Sequence, residues 1–300
     1  MKVVNVIGGL GNQLFQYAFA VALKTVNPDE DVYIDTEHFN YLFLKKFKTS
    51  NLHNGYELDK LFHHLEIEKA DRKILQKVTY YVPNFFLSRV VRKVLPKRKT
   101  EYVAKIIDSQ TYNHELLSLP GDVYYEGYWQ AAEYFLACRD ELCRVYAHST
   151  PNKYNSKLID EIFNSDSVGI HVRRGNYLKS TTYSGICDVG YYQKALDLVK
   201  SDGKHHHFYI FSNDVEWCKE NMLPLLKDYP VVIVTQNTGK NSYWDMYLMT
   251  YCHKLIIANS SFSWWGAFMN KVADMVIAPY PWMNGRNIED VYVPGWIKLK

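Results

Sequence analysis

Four groups of polar residues in the second half of the chain each follow a short apolar run. They are His171/Arg173/Arg174, Ser212/Asn213/Asp214, Thr235/Gln236/Asn237 and Asn259/Ser260/Ser261. Guanidinium groups bind oxyanions through two parallel hydrogen bonds and keep their charge, so paired arginines suit a diphosphate. Serines in a turn before a helix add hydroxyls and free backbone N–H groups. The residue types therefore predict a site for a phosphorylated ligand.

The serine-rich turn at residues 259–267 is the most informative of these groups. The apolar run before it predicts a short buried strand at 255–257, and the residues after it predict a helix from about 263. Hydroxyls and N–H groups at a helix start, together with the helix dipole, favour an anion. A helix cap at Ser260 or Ser261 is a second explanation of the same serines.

Strands and helices alternate through this half of the chain. Predicted strands lie at 168–172, 208–211, 231–234, 255–257 and 275–278, and helices at 191–200, 215–221, 243–251 and from 263. Such alternation predicts a parallel sheet whose ligand chemistry lies at the carboxyl ends of the strands. His171 alone is more typical of a core histidine, and Asp245 alone of an acid in the first turn of a helix.

The first half opens with a β-loop-α-β pattern. It predicts a strand at 3–7, a glycine turn at 8–13, a buried helix at 14–24 and a strand at 32–35. Gly9, Gly11 and Asp35 fit a dinucleotide fingerprint, but Leu14 stands where that fingerprint needs Gly or Ala. A nucleotide-binding oxidoreductase therefore remains an alternative.

Further along, we predict helices near 66–78 and 86–94, a strand and loop at 123–130, and a helix at 133–146. The sequence at 149–152 is the best candidate for a domain boundary, which gives domains 1–150 and 151–300. A length of 300 residues is in keeping with two domains.

The bulk composition narrows the class of protein. Hydrophobic residues make up 47% of the chain and the net charge is +3, which argues for a globular fold and gives no reason to expect nucleic acid. Five cysteines without a Cys-x-x-Cys pair suggest reduced thiols in the cytoplasm. The sequence shows neither a signal-peptide pattern at its start nor an apolar run long enough for a transmembrane helix.

One segment is strongly basic. Residues 69–105 hold eleven Lys and Arg but two acids, an excess of nine positive charges, with apolar side chains between them. Such a face suits peripheral contact with an anionic membrane, for which the inner face of a bacterial membrane is the natural place. A solvated basic helix over an ordinary core explains it equally well.

Five segments, in order along nearly the whole chain, resemble family 11 glycosyltransferases, the α-1,2-fucosyltransferases of bacteria and animals. They are Gly8-Gly9-Leu10-Gly11-Asn12-Gln13-Leu14-Phe15-Gln16-Tyr17-Ala18, Gly127-Tyr128-Trp129-Gln130, His171-Val172-Arg173-Arg174-Gly175-Asn176-Tyr177, Phe211-Ser212-Asn213-Asp214, and Trp244-Asp245-Met246-Tyr247-Leu248-Met249 leading to Asn259-Ser260-Ser261-Phe262-Ser263-Trp264-Trp265-Gly266.

The resemblance implies an α/β GT-B fold, in which two Rossmann-like lobes flank the active site. It implies inverting transfer of fucose from GDP-fucose to the 2-hydroxyl of a galactose-terminated glycan, with the first lobe on the acceptor side and the second binding the donor.

The resemblance also implies roles for single residues. Arg173 would bind the β-phosphate; His171 and Asp245 would contact guanine; Ser260, Ser261 and Phe262 would hold the pyrophosphate; Asn12 would reach the site from the first lobe. We further expect Ser212 and Asp214 in the donor site, and Gln13, Trp129 and Gln130 in the acceptor site.

The chain departs from the family pattern at Asn176, where the family usually has Asp. An amide cannot take a proton, so a base at this position is excluded. No metal or other cofactor is expected. Asp29-Glu30-Asp31 is formally a D-x-D motif but falls in a turn, and adjacent residues of His205-His206-His207 point to opposite faces of a strand.

Overall fold

The computed structural model describes residues 1–40, 54–105, 108–147 and 150–300. These residues form two compact units, Met1–Ser149 and Thr150–Lys300. Each unit contains one sheet in which every paired strand is parallel to its neighbours.

The first unit is built on a five-stranded sheet of order β3-β2-β1-β5-β4. Its strands are β1 (Lys2–Asn5), β2 (Val32–Asp35), β3 (Glu68–Lys69), β4 (Glu101–Val103) and β5 (Val123–Glu126). Its helices are α1 (Leu10–Val26), α2 (Leu58–Leu61), α3 (Arg72–Val78), α4 (Phe85–Val94), α5 (Glu133–Leu136) and α6 (Arg139–Val145).

Helix α1 forms the core of this unit, because its residues from Leu14 to Ala20 are all buried. Gly8, just before the helix, has φ +83°, and a Cβ atom there would lie 2.9 Å from Asn12 Nδ2. Only glycine therefore fits this turn, which brings the chain from the carboxyl end of β1 directly into the helix.

The second unit is built on a six-stranded sheet of order β11-β10-β9-β6-β7-β8. Its strands are β6 (Ser167–Val172), β7 (His207–Ser212), β8 (Val231–Val234), β9 (Lys254–Ile256), β10 (Met275–Pro279) and β11 (Ile297–Leu299). Its helices are α7 (Lys153–Phe163), α8 (Val189–Lys200), α9 (Val215–Asn221), α10 (Tyr243–Met249) and α11 (Ser261–Phe268).

The central strands of the second unit set the position of its polar loops. β6 pairs with β7 and with β9, so that Val172 lies beside Ser212 and Ile170 beside Ile256. The loops after these three strands consequently emerge at one edge of the sheet.

The structure differs from the sequence-based elements in several places. The predicted helix at 66–78 is a short strand, β3, followed by a helix that begins only at Arg72 because the Asp71 side chain caps it. The predicted helix at 133–146 is divided into α5 and α6. Helix α7 was not predicted, although its cap Asn152 and the spacing of Leu158 and Ile162 are typical helix signals.

All five cysteines are free thiols. Among the helices of the described residues, none is long and apolar enough to cross a membrane.

Candidate active site

Arg173 and Arg174 follow β6 but have different surroundings. The guanidinium of Arg174 lies 3.1 Å from Asp214 Oδ2 and 4.3 Å from the ring centre of Trp217. Arg173 lies over the ring of Tyr177 at 5.4 Å and has no carboxylate partner within the described residues. The expected pair of phosphate-binding arginines is therefore reduced to one, because Arg174 is neutralised inside the unit.

The loop that carries Arg173 is tied to its neighbours. The backbone N–H of Arg174 donates to Asn213 Oδ1 at 2.9 Å. Gly175 follows with φ +66°, and a Cβ atom there would lie 2.9 Å from Asn213 Nδ2. Burial raises the pKa of Tyr177, while the charge of Arg173 and the nearby Ser260 side chain oppose that rise, so the loop after β6 lies beside the serine turn.

The serine turn forms the start of α11. Ser260 is the N-cap residue, and its Oγ accepts a hydrogen bond from the Phe262 N–H at 3.4 Å. The helix begins at Ser261, two residues earlier than predicted, and its first turn presents backbone N–H groups beside the guanidinium-bearing loop. Ser260 thus caps the helix, while α11 also has the geometry of an anion-binding N-terminus.

His171 lies at the end of β6 and is 5% exposed. Its ring centre is 5.7 Å from that of Phe262, and its Nδ1 is buried without a hydrogen-bond partner among the described residues. Burial, with a smaller contribution from the charge of Arg173, lowers the pKa of His171 to about 3. The imidazole is therefore neutral at physiological pH, and a buried nitrogen without a partner is more typical of a ligand contact than of a satisfied core.

Asp245, in the first turn of α10, has a carboxyl group that is almost fully buried. Asn237 Nδ2 donates to Asp245 Oδ1 at 3.0 Å, and Asn237 in turn exchanges two hydrogen bonds with Asn155, at 2.9 and 3.1 Å. Burial raises the pKa of Asp245 to about 7, and the bond from Asn237 opposes that rise. Asn237, itself held by Asn155, thus fixes one carboxylate oxygen of Asp245, and the other oxygen has no hydrogen-bond partner among the described residues.

In the first unit, Asn12 lies in the opening turn of α1. Its Oδ1 accepts from Gln130 Nε2 at 2.9 Å, and Gln130 Oε1 accepts from Gln110 at 2.8 Å. The chain of side-chain amides fixes the orientation of Asn12, whose Nδ2 has no acceptor among the described residues. The Asn12 side chain therefore has a fixed orientation, and within the described ranges its Nδ2 is a free hydrogen-bond donor.

Two residues expected in the acceptor site are structural instead. Gln13 is fully buried; its Nε2 donates to the carbonyls of Gly8 and Gly55, and its Oε1 accepts from the Glu57 N–H, all at 2.9 Å. Trp129 is 0% exposed and stacks on Phe19 at 4.4 Å. Every polar atom of Gln13 is thus used within the first unit, and the Trp129 indole is enclosed there.

Ser212 and Asp214, expected in the donor site, also have partners within the protein. Ser212 Oγ accepts from the Asp214 N–H at 2.9 Å, and Asp214 caps α9 by accepting from the Trp217 N–H at 3.2 Å. Asp214 also pairs with Arg174. The side chains of Ser212 and Asp214 therefore shape the loop after β7, and these contacts direct neither of them to a ligand.

The two sequence patterns considered as metal sites make other contacts in the structure. Glu30 accepts from the Met1 amino group at 3.0 Å and lies 3.3 Å from Lys2 Nζ. His206 is buried against Asp202 at 2.9 Å, and the His205 ring stacks on Tyr229. Nowhere in the described ranges do three or more His, Cys, Asp or Glu side chains group as a metal site would require.

Several contacts that support the site residues were not predicted from the sequence. Asn237, which Asn155 holds, donates to Asp245. Tyr177 lies under the Arg173 guanidinium, and Asn259 donates to the carbonyl of Trp282 at 3.3 Å. Cys187 donates to Asn259 Oδ1 at 3.5 Å. The position of Asn237 after β8 indicated a polar site in the sequence. Asn155 and Cys187 lie far from their hydrogen-bond partners in sequence, so no local pattern indicated them.

A family model described as glycosyl transferase family 11 matches residues 1–300. An alpha-1,2-colitosyltransferase from Escherichia coli is 31% identical over 99% of this chain and 98% of its own length. Galactoside alpha-(1,2)-fucosyltransferase 2 from Rattus norvegicus is 29% identical over 45% of this chain and 40% of its own length.

The fold has a counterpart in a solved structure, the fucosyltransferase NodZ from Bradyrhizobium. The TM-score is 0.52 at 14% identity, with 92% of each chain covered; another NodZ crystal, described as an alpha-1,6-fucosyltransferase, was soaked with GDP-fucose. The likeness confirms the GT-B fold expected from the sequence.

The family match also excludes the oxidoreductase alternative, because it extends through the glycine turn that suggested it. Over its whole length, the chain belongs to glycosyl transferase family 11.

Proposed function

We propose that this enzyme transfers L-fucose from GDP-fucose to the 2-hydroxyl of a galactose in a glycan, with inversion at the anomeric carbon. The rat relative is named for α-(1,2) transfer to a galactoside, and the Escherichia coli relative for α-1,2 transfer of colitose, which is 3-deoxy-L-fucose. Both relatives are named for the α-1,2 linkage, and the sugars that they transfer differ by one hydroxyl.

The observation that carries the proposal is the closeness of the end of β6 to the α11 N-terminus, where the His171 ring lies 5.7 Å from the Phe262 ring. Arg173, which has no carboxylate partner among the described residues, and the first turn of α11 would together bind one anion. The leaving group of a nucleotide-sugar transferase is a nucleoside diphosphate, whose negative charge grows as the glycosidic bond breaks. Donors fixed in advance at that position lower the barrier.

His171 and Asp245 are assigned to the guanine ring. The N1–H and exocyclic amino groups of guanine are donors, and a buried carboxylate with one free oxygen is a matching acceptor. The neutral His171 ring, beside Phe262, offers a nitrogen and an apolar face. These contacts would select guanine over bases that lack the paired donors.

In the proposed reaction, the acceptor hydroxyl oxygen attacks the anomeric carbon from the face opposite GDP. The carbon–oxygen bond to the β-phosphate breaks, and the electron pair leaves with GDP. The hydroxyl proton passes to water or a nearby base; Asn176, which is exposed, cannot accept it. Asn12 would donate its free N–H to the sugar or the leaving group.

The deciding experiment offers the purified protein GDP-fucose or GDP-colitose with a panel of galactose-terminated acceptors. We expect an α-1,2-fucosylated product, identified by NMR from the anomeric coupling and the linkage position. A clear preference for GDP-colitose would give this chain the activity named for its bacterial relative. Tight GDP binding without any transfer would make it a silent relative and overturn the proposal.

We further propose that transfer needs no divalent ion, since Arg173 and α11 supply the positive charge. The same assay in excess chelator should keep its rate. A complete loss that added metal restores would overturn this part of the proposal and reopen the motif at Asp29-Glu30-Asp31.

A further inference from the structure

Two polar side chains of helix α4, Ser88 and Arg92, attach the helix to the first unit. Ser88 is 1% exposed and exchanges hydrogen bonds with the backbone N–H and carbonyl of Val82, at 3.0 and 2.9 Å. Arg92, one turn later, donates to the Tyr124 hydroxyl at 3.0 Å and to Glu126 at 3.3 Å. The helix is therefore attached to the unit by hydrogen bonds and charge.

The outward face of the same helix is apolar. Leu87, Val90 and Val94 are 52%, 41% and 76% exposed, and Leu95, the C-cap residue, is 43% exposed. Residues spaced by three and four lie on one side of a helix, so Leu87, Val90 and Val94 form a single stripe about 60° wide. We call these three residues the α4 stripe. An apolar stripe directed to solvent requires an explanation, since burial normally removes it.

Positive charge lines the stripe. Between Phe85 and Lys99 there are six basic residues and no acidic residue. Arg92 and Arg98 are used internally; Arg98 donates to the carbonyls of Gln76, Lys77 and Thr79. Lys93, Lys97 and Lys99 are exposed, and none pairs with a carboxylate in the part of the chain that the structure describes.

We propose that helix α4 lies flat on an anionic membrane surface, with the α4 stripe inserted among the acyl chains and Lys93, Lys97 and Lys99 at the phosphate level. An apolar stripe with lysines beside it is the pattern of an interfacial helix. The contacts of Ser88 and Arg92 fit this arrangement, because they hold the helix to the protein while the α4 stripe stays exposed.

A lipid surface fits these residues better than a protein partner does. A protein interface of stable size has a mixed rim, and a single stripe of three aliphatic residues is a small contact. A row of unpaired lysines instead matches a continuous sheet of phosphate groups, where each charge gains a similar attraction. Each lysine contributes a modest attraction that salt weakens, so the association should be reversible.

The test is co-sedimentation of the full chain with vesicles of phosphatidylcholine alone or mixed with increasing phosphatidylglycerol, at low and high salt. We expect binding that rises with the anionic lipid and falls with salt. Val90→Glu/Val94→Glu should weaken binding about tenfold or more, because it places charge in the acyl region. Lys93→Gln/Lys97→Gln/Lys99→Gln should weaken it by a similar factor and flatten the salt dependence.

The matched control is Val232→Glu/Val272→Glu, which adds the same charge at two valines of the second unit that are each 37% exposed. It should bind vesicles as the unaltered protein does, and the circular dichroism of every variant should be unchanged.

Three outcomes would overturn the proposal: no binding to anionic vesicles at low salt, equal loss in the control, or unaltered binding by Val90→Glu/Val94→Glu. If light scattering shows a dimer that this variant dissociates, while vesicles bind nothing, the stripe is an interface between copies. Since the readout is lipid binding, the result does not depend on whether the proposed sugar transfer is right.

Discussion

Arg173 and Arg174 are adjacent residues of one type, yet the structure separates their roles. The charge of Arg174 is taken up by Asp214, and its guanidinium lies against Trp217. The charge of Arg173 has no such partner among the described residues and lies beside Tyr177. A sequence motif alone cannot distinguish two adjacent arginines; their contacts with the neighbouring loop after β7 and with helix α9 do.

The first prediction compares the same substitution at both positions. Arg173→Lys should lower kcat about a hundredfold or more with GDP-fucose and a galactoside acceptor, because an ammonium group cannot reproduce the two-pronged guanidinium contact. Arg174→Lys should keep most of the turnover and lower the melting temperature instead. Near-normal turnover in a folded Arg173→Lys enzyme would remove Arg173 from the site.

Asp245 is a second residue whose surroundings matter more than its type. Burial raises its pKa to about 7, well above the ordinary value near 4. Between these values the folded protein holds a proton that the unfolded chain has released. Stability should therefore fall as pH rises through this window, since the unfolded state binds fewer protons.

The second prediction follows from that sign. Asp245→Asn has no proton to lose, so its melting temperature should exceed that of the unaltered protein by an amount that grows between about pH 4 and pH 7. Differential scanning fluorimetry across this range measures the difference. GDP affinity should fall about tenfold or more in the same variant, because an amide oxygen is a weaker acceptor than a carboxylate. Melting curves that stay parallel at every pH would contradict the burial argument.

At the scale of elements, the loop after β5 carries a core residue where the motif suggested a binding residue. Trp129 adopts φ 54°, which turns its side chain into the unit, where it stacks on Phe19 and meets Tyr125 edge-on at 5.9 Å. Gly127 allows this, since a Cβ atom there would lie 2.8 Å from the indole. Part of the motif at residues 127–130 therefore serves the packing of the core.

The third prediction distinguishes packing from binding. Trp129→Ala should lower the free energy of unfolding by about 3–5 kcal/mol, the usual cost of removing a buried aromatic side chain. In the milder variant Trp129→Phe, the acceptor KM should stay unchanged while the melting temperature falls. A raised KM with unchanged stability would return Trp129 to the acceptor site.

Periodicity and local chemistry predicted most of the fold. The strands at 32–35 and 231–234 and the helix at 215–221 have the predicted bounds, because apolar runs and caps are local signals. The three-residue strands β4 and β11 were missed, since their pairing depends on neighbours distant in sequence. The same limit applies to the site: Ser260 and Arg173 carry chemical signals, whereas Asn155 acts only through Asn237 and Asp245.

For the whole molecule, the residues assigned to GDP come from one unit, Thr150–Lys300. They end or follow β6, follow β9, or begin α10 and α11, so a single sheet presents them. The fourth prediction is that GDP slows amide hydrogen exchange most in peptides covering 171–177, 237–245 and 259–263. Binding stabilises the bound state and suppresses local opening there. Protection confined to Met1–Ser149 would contradict the donor assignment.

The distribution of tryptophans makes the two units optically distinct. Six of the seven lie in Thr150–Lys300, and Trp129 is the single one in Met1–Ser149. Tryptophan emission of a Trp129→Phe enzyme, excited where tyrosine does not absorb, would therefore come from the second unit alone, and its difference from that of the unaltered protein would isolate the first. With this one substitution, emission spectra would report separately how each unit melts and how each unit responds to nucleotide.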